Sequence, residues 1–156
     1  MNGLAYQVLH SKKLQKEGKN FKDLASNDSN VTMKSVHLEG ESQVCGLCEA
    51  FIDATLEECV AFEYKKDTRA KKAQLGKKYK KIKVRKANDH CQLYLNVRKM
   101  SNFLLSDREW RSKCIWQKQG REEVWTVYND TRELDKEYPL EYGNVRASAT
   151  TTWKFE

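Results

Sequence analysis

The residues best suited to metal or nucleophilic chemistry are five cysteines and three histidines, and their spacing argues against both uses. Cys45-Gly46-Leu47-Cys48 has the separation of half a zinc site, but Cys59, Cys91 and Cys114 form no second close pair. His90 adjoins Cys91, and neighbours on a regular strand point to opposite faces, so they cannot share an ion. Cys45 and Cys48 have opposite parity on the strand assigned below. Buried thiols are the expectation, with no metal and no cofactor. His10, His37 and His90 lack partners at catalytic spacing. The pairs Glu57-Glu58 and Glu122-Glu123 read as helix-cap and turn residues rather than as an acid–base couple. Lys71 occupies the place of the first glycine in any phosphate loop ending at Gly76-Lys77, and no Gly-x-Ser-x-Gly elbow occurs. The chain is expected not to be an enzyme.

Binding chemistry is more visible. The formal charge is +7, but it is unevenly spread. Lys65 to Asp89 carries 12 Lys/Arg against two acids, and the remainder has 17 basic and 20 acidic residues. The chain is thus a slightly acidic domain bearing one basic block, which must lie on solvent because burying unpaired cations is costly. Lys77, Lys78, Lys80, Lys81, Lys83 and Arg85 are the candidate contacts for an anionic surface, either lipid headgroups or nucleic acid. Only Tyr79 interleaves with these cations, a thin stacking platform that makes nucleic acid the less favoured partner.

At 156 residues the chain has room for one ordinary domain, and 39% hydrophobic residues suffice for a core. No apolar run reaches the roughly 20 residues of a membrane span, and the first residues lack a signal-peptide pattern. With an odd cysteine count, this predicts an intracellular, cytoplasmic protein. Asn27-Asp28-Ser29, Asn30-Val31-Thr32 and Asn129-Asp130-Thr131 then read as turns rather than glycosylation sites.

The elements that must position any site follow from periodicity. Leu4, Val8, Leu14, Phe21 and Leu24 form an incomplete helical period, predicting a helical segment over 1–25. Strands are expected over Val31–Leu38 and Gln43–Ile52, joined by a turn at 39–42. Thr55 and Glu58 form a capping box that starts a short helix with Leu56, Cys59, Val60 and Phe62 on its apolar side. Gly76 is a break. Ile82 and Val84 then alternate with cations, and Cys91, Leu93, Leu95 and Val97 alternate with Gln92, Tyr94, Asn96 and Arg98. Trp110, Cys114 and Trp116 share one parity of the next strand, which turns at Gln119-Gly120-Arg121 into Val124–Tyr128. After a polar loop over 129–142, Val145, Ala147, Ala149, Thr151, Trp153 and Phe155 alternate along a last strand. The result is an α+β domain with a mainly antiparallel sheet.

Three segments, in order, resemble the START domain, the lipid-transfer module related to the steroidogenic acute regulatory protein. Val44 to Val60 is similar to the family's strand leading into an Asp-Ala-Ser/Thr-x-Glu-Glu helix start, here Asp53-Ala54-Thr55-Leu56-Glu57-Glu58. Met100-Ser101-Asn102-Phe103-Leu104-Leu105-Ser106-Asp107-Arg108-Glu109-Trp110 resembles Met-Pro-Phe-Pro-Leu-Ser-Asn-Arg-Asp-Phe. Gly143 to Glu156 is similar to a late strand of the fold. The resemblance covers roughly residues 20–156 and implies a helix-grip fold, a curved antiparallel sheet around an apolar cavity, with N-terminal and short inserted helices. It places a START-like α+β domain at 26–156. The chain stops within a strand-like segment, so the resemblance also implies that the family's C-terminal lid helix is missing, the domain being incomplete.

The resemblance further implies noncatalytic binding of a lipid, sterol-like or other hydrophobic ligand, with the basic block as an accessory surface for anionic membrane. The alternative is a nucleic-acid or protein interaction module acting through residues 65–89. Leu93, Leu95, Val97, Trp110, Cys114, Trp116, Val145, Ala147 and Ala149 are the candidate cavity-lining residues, all expected on one sheet face. The acid–base pair that some sterol-binding members keep in the cavity falls at Leu95 and Cys114, both neutral, so no particular ligand carries over. Arg108 is expected to brace the turn before its strand by pairing with carboxylates.

Overall fold

The computed structural model describes residues 21–37, 44–76, 78–101 and 104–156, which divide at Ala54/Thr55 into two compact units. The first unit is a three-stranded antiparallel meander, β1 (Lys22–Leu24), β2 (Val31–His37) and β3 (Val44–Ala50). Strands β2 and β3 keep an unbroken register from Val31↔Ala50 to His37↔Val44. The turn expected at 39–42 and most of the expected N-terminal helix lie outside the described residues. Where that segment enters them the expectation is corrected: Lys22–Leu24 is a strand against Ser35–Met33. A hydrophobic spacing of three is weak support for a helix when an open strand edge is available to pair with.

The second unit begins with the capping box. Thr55 Oγ1 accepts from the Glu58 amide at 3.3 Å, and Glu58 Oε2 accepts from the Thr55 amide at 2.9 Å. These bonds satisfy amides that have no partner in the first helical turn and start α1 (Leu56–Tyr64). A second helix that the periodicity does not announce, α2 (Arg69–Leu75), starts at Thr68, whose hydroxyl accepts from the Lys71 amide, and ends at Gly76.

The sheet that follows has the order β4-β5-β6-β7-β9, from β4 (Tyr79–Asn88), β5 (Cys91–Arg98), β6 (Arg108–Gln119), β7 (Glu123–Asp130) and β9 (Thr151–Phe155). It is curved and antiparallel along this path. Gly120 turns β6 into β7 with φ 69°, a left-handed conformation that glycine adopts without steric cost. The single last strand expected over 145–155 is in fact two. Its first part, β8 (Val145–Ala147), pairs parallel with Arg108–Trp110 of β6. Beyond that point β7 occupies the edge of β6, from Ser112↔Asp130 onward, so the chain steps across Ser148–Thr150 and continues as β9 on the far side of β7. Alternation survives because three residues make the step.

The sheet has two differently finished faces. On one, Leu93, Leu95 and Val97 pack beneath Leu134 and Tyr138 of the loop after β7, while Ile115, Trp125 and Val127 form a second cluster. The loop that reads as polar thus carries a plug: Leu134 is 1% exposed. The other face is crossed by α1.

Candidate ligand-binding face

Register assigns each side chain to a face, because directly paired residues project to the same side. Gln92, Tyr94, Asn96 and Arg98 of β5 pair with Cys114, Ser112, Trp110 and Arg108 of β6. Cys114 and Trp116 in turn pair with Tyr128 and Thr126 of β7, and these with Thr151 and Trp153 of β9. This is the α1 face. In β4 it takes Ile82 and Val84, and a bulge at Lys80 turns Tyr79 onto it as well, opposite Arg98.

The end of α1 is fixed to this face by its own unfinished backbone. The carbonyls of Glu63 and Tyr64 lie in the last helical turn, where no following amide reaches them. Tyr128 Oη donates to the Glu63 carbonyl at 3.2 Å and Gln92 Nε2 to the Tyr64 carbonyl at 2.5 Å. Cys114 has no exposed surface, and burial pushes its thiol up to about 12.

Two hollows open on this face. The larger, about 690 Å³, lies between α1 and the β4–β7 strands. Leu56, Val60, Tyr64, Val84, Trp116 and Val124 supply its apolar surface, and Glu57, Lys65, Asp67, Lys86, Asp89 and Lys118 its charged rim. The Tyr64 ring meets Trp116 edge-on at 6.4 Å, and burial pushes its hydroxyl up to about 12. That hydroxyl is buried and makes no hydrogen bond. The smaller hollow, about 250 Å³, is aromatic and polar: Tyr79, Tyr94, Trp110, Tyr128 and Trp153 surround Asn96, Ser112, Arg98, Glu63 and Lys66.

The nine candidate cavity residues separate. Trp110 and Ala149 line the smaller hollow and Trp116 the larger. Val145 and Ala147 stand on the same face, in register with Arg108 and Trp110, but outside both hollows. Cys114 lies on this face and lines neither. Leu93, Leu95 and Val97 are corrected: they project to the opposite face, under Leu134. For the same reason Leu95 and Cys114 cannot form a facing pair. The residues missed are Gln92, Tyr94 and Asn96, whose place opposite an apolar stripe reads as solvent-facing. Every residue of β5 from Cys91 to Val97 is buried. Their uncharged character, in a chain with one charged residue in three, was the available signal.

The basic block is likewise divided. Lys66 and Lys71 are 8% and 7% exposed, contrary to the expectation that the whole block lies on solvent. They pair with the two oxygens of Glu63, and their ammonium groups stand over the Tyr128 and Phe62 rings at 4.9 and 3.5 Å. Phe62, expected on the apolar side of α1, is exposed and serves as this cover. Lys80 pairs with Asp107, Lys81 with Glu141, Arg85 with Glu137 and Lys86 with Asp89. Lys78 and Lys83 are exposed, and Lys77 lies outside the described residues. Arg108 donates to the Ser106 carbonyl at 3.1 Å and, among the described residues, pairs with no carboxylate. Asp107 is the brace instead, accepting from the Met100 amide at 3.0 Å.

No protein-family model matches the chain, and no curated protein matches it. Solved structures do. The STAR-related lipid transfer protein from Xanthomonas axonopodis is 18% identical, with TM-score 0.69 over 86% of this chain and 72% of that one. Human STARD10 is 12% identical, with TM-score 0.73 over 95% of this chain and 59% of that one. The lipid transfer and protein localization domain of human StarD13 is 14% identical, with TM-score 0.70 over 99% and 74%. At these identities the likeness is one of fold. The chain has the START-type, helix-grip α+β fold.

Proposed function

We propose that the chain binds a lipid or another hydrophobic ligand, without covalent chemistry, on the α1 face of its sheet. The observation that carries this reading is the hollow of about 690 Å³ between α1 and the sheet, with Leu56, Val60, Val84, Trp116 and Val124 around it. Its size falls within the roughly 300–1,000 Å³ of small-molecule sites. Burial of apolar ligand surface at about 25 cal/mol per Å² drives entry. The unpartnered Tyr64 hydroxyl in the wall is the point at which a ligand hydroxyl or carbonyl gains a hydrogen bond. Trp116 contacts the ligand here, and Trp110 and Ala149 contact it in the smaller hollow. The description of similar structures as lipid transfer proteins and domains supports the ligand class only.

The domain docks on anionic membrane through Lys78 and Lys83, which are exposed, each adding about 1 kcal/mol near the surface, with Lys80 beside them held by Asp107. Leu104 and Leu105 are exposed in the same loop as Asp107, the partner of Lys80, and supply an apolar tip to this basic edge. The ion pairs of Lys81, Arg85 and Lys86 withdraw cations from any continuous track, which favours membrane over nucleic acid. Five unpaired cysteines fit a cytoplasmic setting. Among the described residues no helix is long and apolar enough to cross a membrane.

The test is native mass spectrometry of the purified chain after incubation with a mixed phospholipid and sterol extract. One bound lipid per chain is expected, reduced in Val60→Asp. A folded sample that retains no lipid refutes the reading. Sedimentation with phosphatidylserine vesicles, but not phosphatidylcholine vesicles, checks the membrane contact.

A further inference from the structure

The smaller hollow has an unusual charge balance. Lys66 and Lys71 are each more than nine-tenths buried, yet they share one carboxylate, that of Glu63. Arg98 lines the same hollow as Glu63 and Lys66, and Glu63 is the only acid among the described residues that line it. Among the described lining residues two cations, Lys66 and Arg98, therefore face one acid, whose carboxylate is already shared with Lys71 behind the hollow. A buried cation without its own counter-charge is costly, and the Tyr128 and Phe62 rings offset only part of that cost.

We infer that this hollow is an oxyanion site, which takes the phosphate or carboxylate of an amphiphile between Lys66 and Arg98. The inference rests on the hydrophobic-ligand reading and adds the charge class of the ligand. The bound anion supplies the missing counter-charge, while Glu63 keeps Lys66 and Lys71 in place from behind. Tyr79, Tyr94, Asn96 and Ser112 add neutral hydrogen-bonding groups around the oxyanion. Trp110 and Trp153 offer apolar surface to the adjoining part of the molecule. A volume of about 250 Å³ suits a headgroup rather than a whole lipid. Zwitterionic phosphocholine fits less well, since its ammonium would meet two cations, Lys66 and Arg98.

The experiment titrates the intact chain with oleoyl-lysophosphatidate, oleoyl-lysophosphatidylcholine, oleate and inorganic phosphate, followed by tryptophan fluorescence and calorimetry. Lysophosphatidate should bind at least tenfold more tightly than lysophosphatidylcholine. Arg98→Gln and Lys66→Gln should each weaken lysophosphatidate about tenfold, the loss of one charge-assisted hydrogen bond, and weaken lysophosphatidylcholine, whose phosphate carries a single charge, by less. Tight oleate binding with the same variant losses identifies a carboxylate ligand. Phosphate binding that matches lysophosphatidate identifies a free anion. Both assign the oxyanion site and name its source. Equal affinity for the two lysolipids, with no loss in Arg98→Gln, overturns the oxyanion site but leaves hydrophobic binding standing. Binding of neither lysolipid nor oleate overturns the parent reading. Arg98 is exposed, so its variant decides the matter even where Lys66→Gln fails to fold.

Discussion

Arg111→Met should be among the most damaging single changes to this fold, and the reason can be followed atom by atom. Arg111 and Glu109 have side chains 1% and 2% exposed on the loop-covered face of β6. Arg111 Nε donates to Glu109 Oε1 at 2.7 Å, Nη2 bonds the same oxygen, and Nη1 donates to Asp135 Oδ1 at 2.6 Å. Arg146 shares Asp135 Oδ1 at 3.0 Å and donates to the Thr131 carbonyl at 2.6 Å. The network therefore ties β6 to the loop that carries Leu134. In Arg111→Met, Asp135 keeps Arg146, but Glu109 is left with Asn144 at 3.4 Å and no ion-pair partner among the described residues. An unpaired buried charge costs about 3–5 kcal/mol. For a chain of this length that lowers Tm by about 10 °C. Replacing both members, Glu109→Leu with Arg111→Met, removes the stranded charge and should recover most of the loss. Urea unfolding followed by tryptophan fluorescence measures both variants. A single-variant loss below about 1 kcal/mol, or a double variant no better than the single, refutes the reasoning.

Leu134→Ala removes the plug over Leu93, Leu95 and Val97 and should cost about 2–5 kcal/mol in the same assay. Tyr128→Phe deletes the bond to the Glu63 carbonyl at a cost of about 1 kcal/mol and should loosen α1 over the sheet. Mass-mapped alkylation then finds Cys114 labelled in the variant and protected in the parent, where Cys48 is labelled instead. Alkali should unfold the chain. Burial raises Cys114 and Tyr64 to about 12 and moves Tyr94 and Tyr128 upward too. The unfolded chain ionises first, from about pH 8.5 for Cys and 10 for Tyr. Stability is therefore complete below that range and lost as pH rises towards 12, which circular dichroism and tyrosinate absorbance follow together.

Local rules were sufficient wherever neighbours in sequence were also partners in space. The capping box at Thr55 and Glu58, the turn at Gly120 and the alternation of β5 are legible because each depends on residues one to four positions apart. The START-like motifs added the helix-grip fold with its curved antiparallel sheet. Alternation also correctly separates Leu93 from Tyr94, but nothing local says which stripe is sealed and which is open. The apolar stripe of β5 was assigned to the cavity because lipid pockets and sealed cores use the same side chains.

Only the tertiary structure decided that question. Leu134 lies forty-one residues after Leu93, and its loop reads as polar, yet it closes over that stripe. The hollows open on the opposite stripe, where Tyr94, Asn96 and Trp110 line one of them together with Lys66 from the turn after α1. The buried lysines follow the same logic. Composition predicts solvated cations, because a lysine without a partner belongs in water. Glu63, Phe62 and Tyr128 become partners through helix geometry and through β7, and no reading of residues 65–89 alone contains them. The sequence by itself determined the strands, the capped helix and the local excess of positive charge. Long-range packing determined which face is core, which is open, and which cations of the basic block are paired with acids.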